Sequence, residues 1–220
     1  MGGKMKYIAL FNEIQLSRDY YEDPQTGVNW RYHIDDEAKR VYIEFQETKT
    51  DKDFKDWFYN LLVIPKTIEE NNKKITVPLG FYLQANAAST YICADYTRGK
   101  LPNLARGYNY AWYFCGWSLG GAVAGITGFL LQNILANERH LIHYGTPAYC
   151  FNKKSLNNLC NSFATVKDFL YKNDWIKPLV PLCKRPPSID VQPSNPDDPQ
   201  TLDQQHRVYG HCIYSAPDSF

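Results

Sequence analysis

Two different periods of apolar spacing run along the chain. "NWRYHI" (29–34) and "RVYIEF" (40–45) alternate apolar and polar residues on either side of "DDEAK", the pattern of two strands joined by a tight turn. At 50–62, "TDKDFKDWFYNLL", the period lengthens. Phe54, Trp57, Phe58, Leu61 and Leu62 recur at helical spacing, with Asp51, Lys52, Lys55, Asp56 and Tyr59 between them, so an amphipathic helix is expected there. A second helix is expected over about 82–96. "YAWYFC" (110–115) reads as a buried strand, followed by a helix over 118–136 whose start is rich in small residues. "LIHYG" (141–145) is the next strand. "FNKKSLNNLCNSF" (151–163) has helical spacing, and "VKDFLYKND" (166–174) contains another strand. From Pro186 to Gln205 the chain is rich in Pro, Asp and Gln and reads as a long surface loop. Strands alternating with helices predict an α/β fold, a mostly parallel central sheet with helices on both faces.

Composition narrows this picture little. The 220 residues suit one domain, expected over 1–220. With 24 Lys and Arg against 23 Asp and Glu, and no basic run, no nucleic-acid partner is expected. No uncharged apolar run is long enough for a transmembrane anchor. The opening apolar stretch, "YIALF", is too short for a secretory signal, so a cytoplasmic protein is expected, or a secreted one if this is a mature form. The six cysteines form no CxxC pair and no zinc spacing, so they read as reduced thiols with no metal to hold.

The chemistry-bearing stretch is "GWSLGG" (116–121), which fits G-x-S-x-G. In a nucleophile elbow the serine occupies a strained strand-to-helix turn, and neighbours without side chains avoid collisions. Here an apolar strand precedes Ser118 and a helix-forming stretch follows it. The competing reading is a serine that merely caps a buried helix. A nucleophilic serine needs a base, and the base an orienting carboxylate. In this kind of sheet both follow the serine, acid first. His140 and His143 lie at or in a strand and read as core or surface histidines. His206 and His211, in "QQHRVYGHCIY", lie where a base could reach the sheet's carboxyl edge. Asp174 directly follows a strand and precedes a prolyl turn, a position that favours it over Asp168, Asp190, Asp197, Asp198 and Asp203.

These residues resemble the class 3 lipases of the α/β-hydrolase fold, the group of the filamentous-fungal triacylglycerol lipases. "GWSLGGAVAG" is similar to the family's "GHSLGGALA". "NDWIKPLVP" resembles its "nDpVphlP" turn with the triad aspartate, and "YGHCIY" the "YxH" motif with the triad histidine. The resemblance therefore implies Ser118, Asp174 and His211 as the triad. "YIEFQET" resembles the strand ending in "FRGS" or "FRGT", which implies that the Thr48 and Leu119 N–H groups form the oxyanion hole. "VPLGF" resembles "VHxGF", "HYGTP" resembles "FGSP", and "DWFYNL" resembles the "NWIxNL" lid helix. Phe54, Trp57, Phe58 and Leu61 would then close over the site, with Trp117 beside the nucleophile. The alternative is that this stripe packs permanently into the core.

The departures from the family are Trp117 for the elbow histidine, Pro78 for a histidine, and Gln46-Glu47 for Arg-Gly. Glu47 would oppose an oxyanion unless it points away. The implied function is hydrolysis of lipid carboxylic esters without cofactor or metal, acting on a lipid ester substrate at a membrane or droplet surface. A phospholipase or other acyl hydrolase, and a non-catalytic hydrolase-like binding protein, are the alternatives.

Overall fold

A computed structural model describes residues 21–46, 64–103, 106–135, 137–171, 180 and 182–191. The main sheet has seven strands in the order β1-β2-β3-β6-β7-β8-β9. These are β1 (Tyr21–Glu22), β2 (Asn29–Asp35), β3 (Arg40–Phe45), β6 (Ala111–Trp117), β7 (Arg139–Tyr144), β8 (Thr165–Tyr171) and β9 (Ile189–Val191). The first three form an antiparallel meander, and from β3 onward every neighbour is parallel. The sheet is thus mostly parallel, as the alternation of elements predicts.

The hairpin read from 29–45 is present, with Trp30 opposite Phe45 and Asp35 opposite Arg40. Its alternation sorts the two faces. Val41, Ile43 and Phe45 are fully buried on one side, with Trp112, Phe114 and Leu141 from the neighbouring strands. The other side carries an aromatic row in which Tyr42 stacks on Tyr113 at 4.9 Å and Tyr113 on His140 at 4.4 Å between centroids.

Three helices are described: α1 (Leu79–Arg98), α2 (Leu119–Leu130) and α3 (Lys153–Cys160). Gly99 ends α1 in the left-handed conformation, φ 78°, its N–H donating to the Tyr96 carbonyl. α2 packs on β6, β7 and β3 and against α1. Its residues 119–129 are all buried, as expected for a helix that is apolar all round. It is shorter than the expected 118–136, passing into a 3₁₀ turn at Leu131–Asn133.

The strands β1, β4 (Pro65–Glu70), β5 (Lys73–Pro78) and β9 are not expected from the sequence. β4 and β5 form a separate two-stranded sheet leading into α1. Its two-residue turn, Asn71-Asn72, has φ of 49° and 60°, the positive pair required by a type I′ hairpin. Within the expected surface loop, Ile189–Val191 forms β9, paired with Phe169–Tyr171 of β8. The amphipathic segment 50–62 lies outside the described residues.

Candidate active site

The site grows from the β6–α2 junction. β6 delivers the chain to the carboxyl edge of the sheet, where Ser118 makes the whole turn. Its φ is 54° and its ψ −128°, a strained combination for a residue with a Cβ. The Ser118 N–H donates to the Tyr144 carbonyl at 2.9 Å, and its own carbonyl accepts from the Gly121 N–H at 3.1 Å. Ser118 stands at the N-cap position of α2, yet its side chain makes no capping hydrogen bond. A serine serving the helix would turn its oxygen back onto the first-turn N–H groups.

The glycines of the motif are required by space. A Cβ on Gly116 would stand 2.6 Å from the Gly121 nitrogen. A Cβ on Gly120 would stand 2.5 Å from the Gln46 carbonyl oxygen and 2.7 Å from that of Phe45. The first turn of α2 is therefore pressed against the end of β3. Leu119 opens α2 and is 7% exposed. Being in the first turn, its N–H has no acceptor within the helix, and the helix dipole adds partial positive charge there.

Trp117, the last residue of β6, lies half-buried and in register with Tyr144. Cys115 is no rival nucleophile. Burial pushes its thiol well up, and the Glu44 carboxylate beside it adds to the shift, so it stays protonated. Glu44 is itself fully buried and paired with Arg31.

Of the site residues expected from sequence, Ser118, Leu119 and Trp117 are placed. Asp174, His211, Thr48 and the lid residues Phe54, Trp57, Phe58 and Leu61 lie outside the described residues. His143 and Asp168 are placed too, as neighbours in register on β7 and β8. His143 is fully buried, its Nδ1 3.5 Å from Asp168 Oδ1 and its Nε2 3.3 Å from the Tyr149 hydroxyl. Asp168 Oδ2 accepts from Arg185. His143 is thus a core histidine, as its strand position suggests, and Asp168 is held by Arg185. Burial raises the Tyr149 phenol, so it keeps its proton beside the imidazole. His140, placed by sequence just ahead of the strand, belongs to β7, its Nδ1 2.8 Å from the Thr165 hydroxyl.

Sequence reasoning did not find the Asp168–Arg185 pair. Arg185 is seventeen residues further along and precedes the short strand β9, so no local period links the two.

A strand, a strained serine and a glycine-packed helix at the carboxyl edge of a mostly parallel sheet define the α/β-hydrolase fold. Residues 43–184 match the family Lipase (class 3), and the chain belongs to that family. No curated protein matches it in sequence. Among solved structures it is similar to the nonglycosylated LIP2 lipase of Yarrowia lipolytica, with 19% identity and a TM-score of 0.58. That likeness covers 78% of this chain and 65% of the Yarrowia protein, so the chain spans about two thirds of that relative's length. A triacylglycerol lipase from Penicillium expansum is 17% identical, with a TM-score of 0.58, covering 80% of this chain and 68% of that one. The Rhizomucor miehei lipase in its propeptide complex is 14% identical, with a TM-score of 0.61 over 96% and 78% of the two chains.

Proposed function

We propose that the protein is a serine hydrolase of lipid carboxylic esters, with Ser118 as nucleophile. The observation that carries this reading is the Ser118 backbone, held at φ 54° and ψ −128° without any capping bond from its side chain. Strain of this kind costs about 1–3 kcal/mol and persists where the surroundings impose it; here they are the packed glycines at 116 and 120. Membership of the class 3 lipases supports the same chemistry.

In the proposed reaction His211 takes the Ser118 proton as the oxygen attacks the ester carbonyl, and Asp174 orients the imidazole and balances its charge. The Leu119 and Thr48 N–H groups hold the tetrahedral oxyanion, each such donor contributing about 3 kcal/mol. Collapse expels the alcohol, which receives the proton from His211, and water then releases the acid from the acyl-enzyme by the same steps. The substrate class is a lipid ester, met at a membrane or droplet surface. Among the described residues no helix is long and apolar enough to cross a membrane. The described cysteines are free thiols, which fits the cytoplasmic setting read from the sequence.

Fluorophosphonate labelling and p-nitrophenyl ester hydrolysis test the assignment. Both are expected in the wild type and absent from Ser118→Ala and His211→Ala; labelling of Ser118→Ala at the wild-type level would overturn it. Phe54, Trp57, Phe58 and Leu61 are proposed to cover the site in water and open on lipid. The expected sign is a rate that climbs steeply once the ester passes its solubility limit, and a smooth profile through that limit would remove the lid.

A further inference from the structure

A concave site lies between the start of α3 and the segment Cys183–Arg185. It is a groove of about 400 Å³ lined by Ala148, Lys153, Leu156, Cys183, Lys184 and Arg185. Its wall is fixed by an antiparallel bridge: the Cys150 N–H donates to the Lys184 carbonyl at 3.1 Å, and the Lys184 N–H returns a bond to the Cys150 carbonyl at 2.6 Å.

The charges around this groove are placed against the local field. Lys153 and Lys154 occupy the first two positions of α3, and its first turn holds no acidic residue. A helix N-terminus carries partial positive charge and favours anions. Lys184 and Arg185 bring two more cations to the same place. The carboxylate beside them, Asp168, is 1% exposed and already paired with Arg185. Lys153 and Lys184 are exposed and form no ion pair among the described residues. The Nε and Nη1 donors of Arg185 are buried without a hydrogen-bond partner among those residues. Positive charge gathered at the end of a helix that repels it, offset among the described residues only by Asp168 on Arg185, is a local conflict of the kind found where a ligand binds.

The rest of the lining sets the ligand class. Ala148, Leu156 and Cys183 are apolar, and burial pushes the Cys183 thiol up to about 12, so it adds no negative charge. The volume is far more than a bare oxyanion fills and falls within the range of small-molecule sites. We propose that this groove binds a long-chain carboxylate, its acyl chain along Ala148, Leu156 and Cys183 and its head between Lys153, Lys184 and Arg185. A long-chain carboxylate is what hydrolysis of a lipid ester releases, so the choice of this anion rests on the function proposed above.

The test is calorimetric titration of the full chain with decanoate, beside 1-decanol and inorganic phosphate, on the wild type and on Lys153→Glu/Lys184→Glu. Both lysines are exposed, so the fold should persist, and hydrolysis of a short p-nitrophenyl ester checks this independently. The expected result is decanoate affinity at least tenfold weaker in the variant and weakened by salt in the wild type. Decanol and phosphate should each bind the wild type at least tenfold more weakly than decanoate. Equal decanoate affinity in both proteins would overturn the proposal by placing the acid elsewhere. Decanol binding as tightly as decanoate would leave only an apolar groove, and phosphate binding as tightly would leave only an oxyanion site. Either result also overturns it. A wild type inert towards esters that still shows the decanoate difference would remove the hydrolase reading and leave the groove standing. Active protein without that difference would do the reverse.

Discussion

Of the described turns that use positive φ at residues other than glycine, those at Asn71-Asn72 and Ser118 are held for opposite reasons. At Asn71-Asn72 the φ values of 49° and 60° join β4 to β5 on the exposed surface. Asparagine tolerates the left-handed region, and the hairpin's twist asks for it, so the turn is locally satisfied. At Ser118 the φ is a similar 54°, but the ψ of −128° lies outside the left-handed well and the residue is fully buried. Nothing in a serine prefers that geometry. It is imposed by β6 below, α2 above and the end of β3 pressed against Gly120. A turn satisfied by its own residues serves the fold, whereas one forced by its surroundings holds a side chain where chemistry can use it.

Three substitutions probe this difference, from the largest expected effect to the smallest. Gly120→Ala drives a methyl into the Gln46 and Phe45 carbonyls. Overpacking against backbone costs about 3 kcal/mol, so its urea midpoint should drop steeply and esterase activity should vanish; a midpoint near wild type would show that the junction yields. Ser118→Gly should stabilise the protein by about 1 kcal/mol while abolishing activity, since glycine adopts the imposed backbone without strain. A less stable Ser118→Gly would mean that the serine is at ease there. Asn72→Ala should lose about 1 kcal/mol, the cost of the left-handed conformation for an ordinary residue, with activity intact. Loss of activity in that variant would join the hairpin to the site and erase the contrast.

How much of this was legible in the sequence depended on whether the cause was local. The hairpin at 29–45, the strand before Ser118 and the helix after it follow from periods within a dozen residues. The G-x-S-x-G spacing could be read because its glycines answer to a fixed geometry. β5 carries a readable signal of its own, since Ile75 and Val77 alternate with Lys74 and Thr76 behind an Asn-Asn turn. Only Ile68 is buried in β4, so the paired strand lacks the apolar rhythm that would have announced it. β9 is three residues long and owes its existence to pairing with β8, a contact no local pattern encodes. The same holds for the groove, where Lys153 and Lys184 are unremarkable in sequence and meet only through the Cys150–Lys184 bridge. For Asp174 the reading rests on its place between a strand and a prolyl turn together with the resemblance to the class 3 lipases, and for His211 over His206 on that resemblance.

The complete burial of α2 has a kinetic consequence. A helix with one wet face can fray or lift away while the sheet survives. This one has no such face over residues 119–129, and its glycines press against backbone, Tyr149 and Phe163. Its amides can reach solvent only when the sheet beneath it opens as well. The platform under Ser118 therefore belongs to the slowest-exchanging part of the molecule, and the strained backbone of Ser118 lasts as long as the native state does.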